Sequence, residues 1–328
     1  MAKCLVTGGA GFIGSHIVDA LVAQGDQVRV FDNLSTGKRE NLARLESKID
    51  FVVGDLRNKE AVGKALVGID HVFHVAALRA VLRSVDDPAE TNDVNVTGIL
   101  NVLLAARDAG VKRVVFSSSS SVYGNTEKFP CQETDIPDPQ SPYAASKIMG
   151  EYYCHIFTKL YGLETVSLRY FNVFGPRQNP ESVYSAVIPI FIDCLLKGVS
   201  PEIHWDGKQS RDFSYVDNVV KGNLLAARAK GVSGEVFNIA CHEEYSVLDI
   251  FESLKEILRI NGIEPAFKPK RAGDVRRTFA DISKAEKLLG FEVQTRFKPG
   301  LAKTVKWFLD SGVLVNGKKQ EIKEKVAV

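Results

Sequence analysis

Residues 6–16 read VTGGAGFIGSH. A β-branched run, KCLVT, leads into this stretch from Lys3, and an apolar helical pattern leads out of it over about 12–24. Gly9, Gly11 and Gly14 spell GxGxxG, while Gly8, Gly11 and Gly14 spell GxxGxxG. The chemistry is the same in either register. Backbone without side chains can lie against a pyrophosphate, and the helix start offers unpaired N–H groups and the positive end of a dipole. A tight turn with no ligand could carry the same glycines. The next strand pattern, QVRVFD, decides between the two. It ends on Asp32, at the distance expected of a ribose-binding carboxylate. Asp32 favours NAD over NADP, because a 2′-phosphate would meet its charge; Lys38 and Arg39 close by pull the other way.

The alternation continues outward. IDFVVGD precedes KEAVGKALV, and DHVFHVAA precedes a helical pattern over about 88–108. VKRVVFSSSS precedes a helix over about 142–161, and ETVSLRY follows. Strands that alternate with helices and read as near-continuous apolar runs predict a doubly wound parallel sheet, an α/β fold of the Rossmann type. After Tyr170 the rhythm breaks, and Pro and Gly become frequent, as in FGPRQNPES and WDGKQSRD. Helical patterns persist near 216–229, 247–258 and 300–309. The expected organisation is a dinucleotide-binding domain over 1–170 with return segments near 213–240. A smaller, loop-rich α/β lobe for the substrate takes 171–212 and 241–315, and 316–328 is a charged tail that frays.

The bulk properties exclude several function classes. The 328 residues are 45% apolar and 25% charged, as in an ordinary soluble globular protein. A net charge of +2 leaves no basic footprint for nucleic acid and no strong pull toward a membrane. Cys4, Cys131, Cys154, Cys194 and Cys241 are scattered, and neither CxxC nor HExxH occurs. No metal site is expected, and the cysteines read as reduced thiols of a cytoplasmic protein. The start, MAKCLVTGGAGFIG, lacks the apolar core of a signal peptide. The later run AVIPIFIDCLLKG is cut by Asp193 and is too short to span a bilayer.

Residues 141–151, SPYAASKIMGE, carry the candidate chemistry. Tyr143 and Lys147 stand four apart, on one face of a helix that Pro142 opens. A free phenol has a pKa of about 10 and is a poor base at neutral pH. An ammonium beside it, with the positive ring of NAD⁺, is expected to lower that value into working range. An exposed Tyr–Lys pair would have the same spacing. Position argues for the chemical reading: the helix follows the fifth strand, whose end runs into SSSSSVYG, a row of hydroxyls able to hold a substrate hydroxyl. Other strand ends supply further candidates. Asp55 in GDL could accept from adenine or serve as a cap. Ala76 and Ala77 are small enough to lie against a cofactor, and Arg79 could reach its phosphates.

These stretches together resemble the extended short-chain dehydrogenase/reductases, and among them the nucleotide-sugar 4-epimerases. The resemblance runs to about residue 310 and rests on TGGAGFIG, DNLSTG, GDL, HVAAL, NVTG, SSSSSVYG, YAASK, LRYFNVFGPRQ, SRDFSYVDN and RAGDVRRTFAD. It implies NAD held at the glycine turn by Gly8, Gly11, Phe12, Ile13 and Gly14, and at the second strand by Asp32, Asn33, Ser35, Thr36 and Gly37. Asp55, Leu56, Ala76, Ala77, Arg79, Asn95 and Tyr170 complete that set with Tyr143 and Lys147. It implies Tyr143 as the base, Lys147 as the residue that holds the nicotinamide ribose, and Ser119 as the partner of the sugar 4-hydroxyl. Asn172 and Val187 would meet the diphosphate of a UDP-sugar, and Arg211 and Arg271 would pair with its phosphates. His204 stands where relatives often place an aromatic residue against uracil. Helices near 88–108 and 142–161 would form a homodimer, by the same resemblance.

Relatives that dehydrate or decarboxylate sugars carry an acid after the serine strand; here Ser119, Ser120, Ser121 and Val122 occupy those positions. The expected reaction is therefore 4-epimerisation by transient oxidation at C4, with NAD kept tightly bound. Thr278, where a tyrosine resembles the glucose-restricted enzymes, leaves room for an N-acetyl group and points to UDP-N-acetylglucosamine, with UDP-glucose second. Arg79 and Arg83 keep UDP-glucuronate open. A dehydratase or reductase of the same fold is the alternative enzyme. A dinucleotide-sensing regulator is the non-enzymatic one, though a sensor has no use for Tyr143 beside Lys147.

Overall fold

The computed structural model describes residues 1–79, 81–179, 187–270 and 275–311. The chain begins with β1 (Lys3–Thr7), α1 (Phe12–Ala23), β2 (Gln27–Asp32), β3 (Ile49–Val53), α2 (Lys59–Leu66) and β4 (His71–His74). There follow α3 (Val81–Asp86), α4 (Pro88–Asn92), α5 (Gly98–Asp108), β5 (Arg113–Ser119), α6 (Pro142–Tyr161) and β6 (Glu164–Tyr170). The remaining part is more finely divided. It runs β7 (Val173–Phe174), α7 (Val187–Lys197), β8 (Glu202–His204), β9 (Ser210–Asp212), β10 (Ser214–Tyr215), α8 (Val216–Arg228) and β11 (Glu235–Ile239). It ends with β12 (Glu244–Ser246), α9 (Val247–Leu258), β13 (Ala266–Lys268), β14 (Arg277–Thr278), α10 (Ser283–Leu289) and α11 (Phe297–Ser311).

Seven strands form one parallel sheet in the order β11-β6-β5-β4-β1-β2-β3. Its two faces are buried by different layers. Cys4 and Val6 of β1 join Ile17 and Val18 of α1, whereas Leu5 between them joins Val102 and Leu103 of α5. The period of two along a strand thus meets helices on both sides, which is why these strands read as unbroken apolar runs. The strand order reverses between β1 and β4, so a crevice opens there, beyond the carboxyl ends of the strands.

Two expectations change. The helical pattern over 88–108 is not one regular helix: α4 passes through a π turn, Asp93–Thr97, before α5. The run read only as apolar, AVIPIFIDCLLKG, contains α7, with Pro189 in its first turn, where no intrahelical N–H is lost. α6 starts and stops as its sequence dictates. The Ser141 side chain accepts from the Ala144 N–H, Pro142 opens the helix, and Gly162 closes it in the left-handed conformation. The tail over 316–328 lies outside the described residues.

Candidate active site

The glycine turn leaves no space for side chains. Gly8 has φ 69°, and a Cβ there would stand 2.8 Å from the backbone of Ala76. At Gly14 a Cβ would stand 2.1 Å from the Gly8 carbonyl oxygen. Gly11 is the N-cap of α1, and no side chain takes the free N–H groups of its first turn. Phe12 is buried and Ile13 half-buried, packing the helix start against the sheet. Asp32 accepts from the Ala10 N–H (2.9 Å) through one oxygen and from the Leu34 N–H (2.8 Å) through the other. Burial pushes its pKa up, against the pull of those two amides. Each oxygen keeps a lone pair for a hydroxyl. Arg39 is spent on Glu46 at 3.0 Å. A cradle of bare backbone that ends on this carboxylate fits a dinucleotide with a free ribose, namely NAD.

Around the turn, Asn33 accepts from the Ser35 N–H and donates to Asp55 (both 3.0 Å). Ser35 and Thr36 are exposed, and Gly37 packs within 3.0 Å, at its would-be Cβ, of Ala10 and of Asp32. Asp55 is gripped by the Arg57 guanidinium at 2.9 and 2.8 Å, which holds its carboxyl well below the usual range. Leu56 is buried, and Ala76 and Ala77 are half-buried after β4. Asn95, in the π turn, faces inward. It accepts from the Leu78 N–H (2.8 Å) and donates to the Leu78 carbonyl and the Ser146 hydroxyl (both 3.0 Å). Ser146 in turn donates to the Tyr143 carbonyl (2.7 Å). Tyr170 is buried, its phenol between Ser117 and Asn223 (both 2.9 Å).

The candidate chemical centre lies where β5 meets α6. Tyr143 is half-buried, with the Ser119 hydroxyl near enough to its phenol to favour the anion. Ser119 also accepts from the Ser121 N–H at 3.2 Å. The Lys147 ammonium lies 5.7 Å from the Tyr143 ring centre and donates to the Ser117 carbonyl at 2.8 Å. To the Lys147 ammonium and the NAD⁺ ring expected to lower the Tyr143 pKa, the fold adds burial, which opposes them, and two groups that help. Burial pushes the Tyr143 pKa up, and the groups that pull it back are the Ser119 hydroxyl and the Arg79 guanidinium. Arg79, first set against the cofactor phosphates, is exposed and close enough to Tyr143 for their charges to couple. Lys147 itself is brought down to about 8 by burial, with the charge of Glu151 opposing. Behind it His74 sits 1% exposed at 2.8 Å from the Thr7 hydroxyl, and burial lowers it to about 3, so it is neutral.

The substrate candidates separate into groups. Asn172 follows β6, whose Tyr170 is the register partner of Ser119, so both stand at the carboxyl end of the sheet. Its side chain donates to the Asp212 carbonyl (3.3 Å) and to the Thr278 hydroxyl (3.1 Å). Thr278 pairs with Arg211 across β14 and β9. Asn172, Arg211 and Thr278 therefore meet. Arg211 is anchored on the Ser210 and Val275 carbonyls at 2.8 and 2.6 Å. Val187 begins α7, half-buried, and His204 ends β8 with Nδ1 at 3.1 Å from the Pro269 carbonyl. Neither joins that cluster's hydrogen bonds. Arg271 lies outside the described residues.

Two buried acids escaped the sequence reading. Glu151, at i+4 from Lys147, takes both guanidinium arms of Arg169. Helical spacing from the Tyr–Lys pair could have found it. Asp212 accepts from the Cys241 N–H (2.9 Å), and burial raises it to about 7. Only the folded chain brings its partners together.

The NAD dependent epimerase/dehydratase family matches residues 4–240. A protein of Methanocaldococcus jannaschii described as a putative UDP-glucose 4-epimerase is 41% identical over 92% of this chain and 97% of its own length. The solved structure of UDP-glucose 4-epimerase from Thermotoga maritima with UDP-glucose superposes with a TM-score of 0.90 at 42% identity, covering 94% of this chain and 99% of that one. The UDP-N-acetylglucosamine 4-epimerase from Methanobrevibacter ruminantium, in complex with UDP-N-acetylmuramic acid, matches equally well: TM-score 0.90, 41% identity, 94% and 99% coverage.

Proposed function

Because the chain belongs to the NAD-dependent epimerase/dehydratase family, we propose that it interconverts the C4 epimers of a UDP-hexose, with UDP-N-acetylglucosamine the preferred substrate and UDP-glucose the second. The observation that carries the reaction type is the junction of β5 with α6. Tyr143 meets Ser119 there, Lys147 is fixed on Ser117, and Ser120, Ser121 and Val122 bring no acid for dehydration. Bound NAD supplies a reversible hydride acceptor at C4. The chain's own residues handle the proton and the position of the sugar. Ser119 holds the 4-hydroxyl against the Tyr143 oxygen. Tyr143 accepts the hydroxyl proton, with Arg79 favouring its anionic form, and returns the proton after the 4-keto sugar has presented its other face. Arg211 and Asn172 hold the diphosphate, so that the sugar can turn while the nucleotide stays.

The preference for an N-acetylated sugar rests on Thr278, a small side chain bonded to Asn172 in the diphosphate cluster. A specific observation supports the alternative substrate, UDP-glucuronate: the Arg79 cation beside Tyr143 could meet a sugar carboxylate. The same reading assigns NAD to 1–170 with its return segments and the sugar nucleotide to the rest. It places the enzyme in the cytoplasm, where its five free thiols stay reduced. It also makes the enzyme a homodimer, through the α6 stripe of Met149, Tyr152, Ile156 and Leu160, between 39% and 70% exposed at spacings of three and four. Incubation with UDP-N-acetylglucosamine, UDP-glucose and UDP-glucuronate separately, with products read by proton NMR, tests the function. The highest kcat/KM is expected on the N-acetylated substrate. A larger value on the uronate would replace it, and turnover of none of the three would reject the reaction.

A further inference from the structure

Tyr143, Lys147 and Glu151 are spaced i, i+4 and i+8 on α6, and the last three residues of β5 receive them one by one. The Ser119 hydroxyl stands near enough to the Tyr143 phenol to favour its anion, and the Ser117 carbonyl accepts from Lys147 at 2.8 Å. Between these, the Ser118 hydroxyl donates to the Glu151 carboxylate at 2.5 Å. From these contacts we propose that Glu151 is a positioning residue for the reaction: it acts through Lys147, as the buried counter-charge that keeps this ammonium charged and seated on β5. The proposal rests on the epimerase reading for the reaction it serves, but not for the charge it describes.

Burial makes the counter-charge matter. Lys147 and Glu151 are each 4% exposed and Arg169 is 3% exposed. Glu151 takes Arg169 of β6 in a two-armed pair, 2.9 Å to Nε and 2.7 Å to Nη2. Arg169 is the register partner of Ser118, so β5, β6 and α6 all converge on this carboxylate. A buried pair of this kind adds little stability over well-packed apolar residues. Here it sits one helical turn from a second buried cation. The titratable groups that face Lys147 are Tyr143 and Glu151 on its own helix and neutral His74 from β4; Tyr170, Arg169 and Arg79 stand one group further off, on Ser117, Glu151 and Tyr143. Glu151 is the acid whose charge opposes the loss of the Lys147 proton.

The test follows the Lys147 proton directly, in full-length protein carrying ¹⁵N at the lysine side-chain nitrogens. The Nζ resonance is assigned by its loss in Lys147→Met. Glu151→Gln alone leaves Arg169 buried without its partner, so it is paired with the double variant Glu151→Gln, Arg169→Met, which removes both charges. The Lys147 midpoint is expected to fall by about one pH unit or more in Glu151→Gln, and by less in the double variant, which also removes the Arg169 cation. The alkaline limb of kcat should move down with it while KM changes less than twofold. A folded double variant with the parental midpoint and limb would overturn the proposal and leave Glu151 a strut between α6 and β6. If neither variant folds, Glu151→Asp decides. It keeps the charge but withdraws it by one methylene; a smaller downward shift supports the proposal and an unchanged midpoint overturns it. The titration needs no sugar nucleotide, so a shifted midpoint without turnover would count against the epimerase reading alone.

Discussion

On the β5–α6 side of the cleft, the groups proposed to react come from one helix face and three consecutive serines. On the other side, Asn172 and Thr278 bond across 106 residues of sequence, and Arg211 reaches them through strand pairing. The first side is buried and internally bonded: Glu151 pairs with Arg169 of β6, and Lys147 is seated on the Ser117 carbonyl of β5. The second is half-buried and leans on backbone carbonyls. A helix repeats its face every three or four residues, so local spacing can fix the geometry of proton transfer. Short strands from distant segments can change one partner without disturbing the sheet, and substrate choice fits that side better.

The comparison breaks first at Tyr143. Tyr143→Phe should lower kcat by roughly 10²–10⁴-fold, the usual contribution of a positioned acid–base group. Fold and bound NAD should be retained, as read by circular dichroism and by the absorbance of released dinucleotide. Gly14→Ala strikes the same half by sterics. Its Cβ would stand 2.1 Å from the Gly8 carbonyl, so NAD content should fall and thermal unfolding should show a loss of roughly 1–3 kcal/mol. Thr278→Tyr probes the opposite side. It should cut kcat/KM about tenfold or more on the N-acetylated substrate, while UDP-glucose loses less, since a pocket discriminates groups of this size by roughly that factor. Equal loss on both would show that the two sides are not divided by task.

Two smaller effects sharpen the contrast. Arg79→Gln removes a cation that favours the Tyr143 phenolate, so the acid limb of the kcat profile should move to higher pH, by less than about one unit. Asp212 lies under the substrate side, and burial raises it from 3.8 to about 7 in the folded chain. Between those values the native state holds a proton that the unfolded state has lost, so its contribution to stability falls as pH rises through that window. Asp212→Asn should flatten that part of the parental fall in Tm, measured by calorimetry from pH 4 to pH 8.

The legible parts of the molecule follow the same division. The glycine turn, Asp32 and the helix carrying Tyr143 and Lys147 could be placed because strand, turn and helix periods are local. β11 was legible only as a return toward the sheet, since EVFNI is short and its place beside β6 is set by tertiary pairing. α7 was hidden because an apolar stripe and an all-round apolar run look alike over 11 residues. The burial that opposes ionisation of Tyr143 was not legible, because spacing reports neighbours but not depth. Asp212 had no signal at all: its partners at Cys241 and Ala280 join it only when β9, the end of β11 and the segment after β14 converge.

The π turn at Asp93–Thr97 has a consequence for chain length. A residue added to a regular helix rotates everything after it by about 100°. That surplus residue aims Asn95 at Leu78 and Ser146, while α5 still presents Ile99, Val102 and Leu103 to the layer it shares with α2. Shortening the stretch by one residue would make the helix more ideal and the enzyme worse, because either the amide or the apolar stripe would then point the wrong way. Over these twenty-odd residues, the number of amino acids is as much a part of the design as their identities.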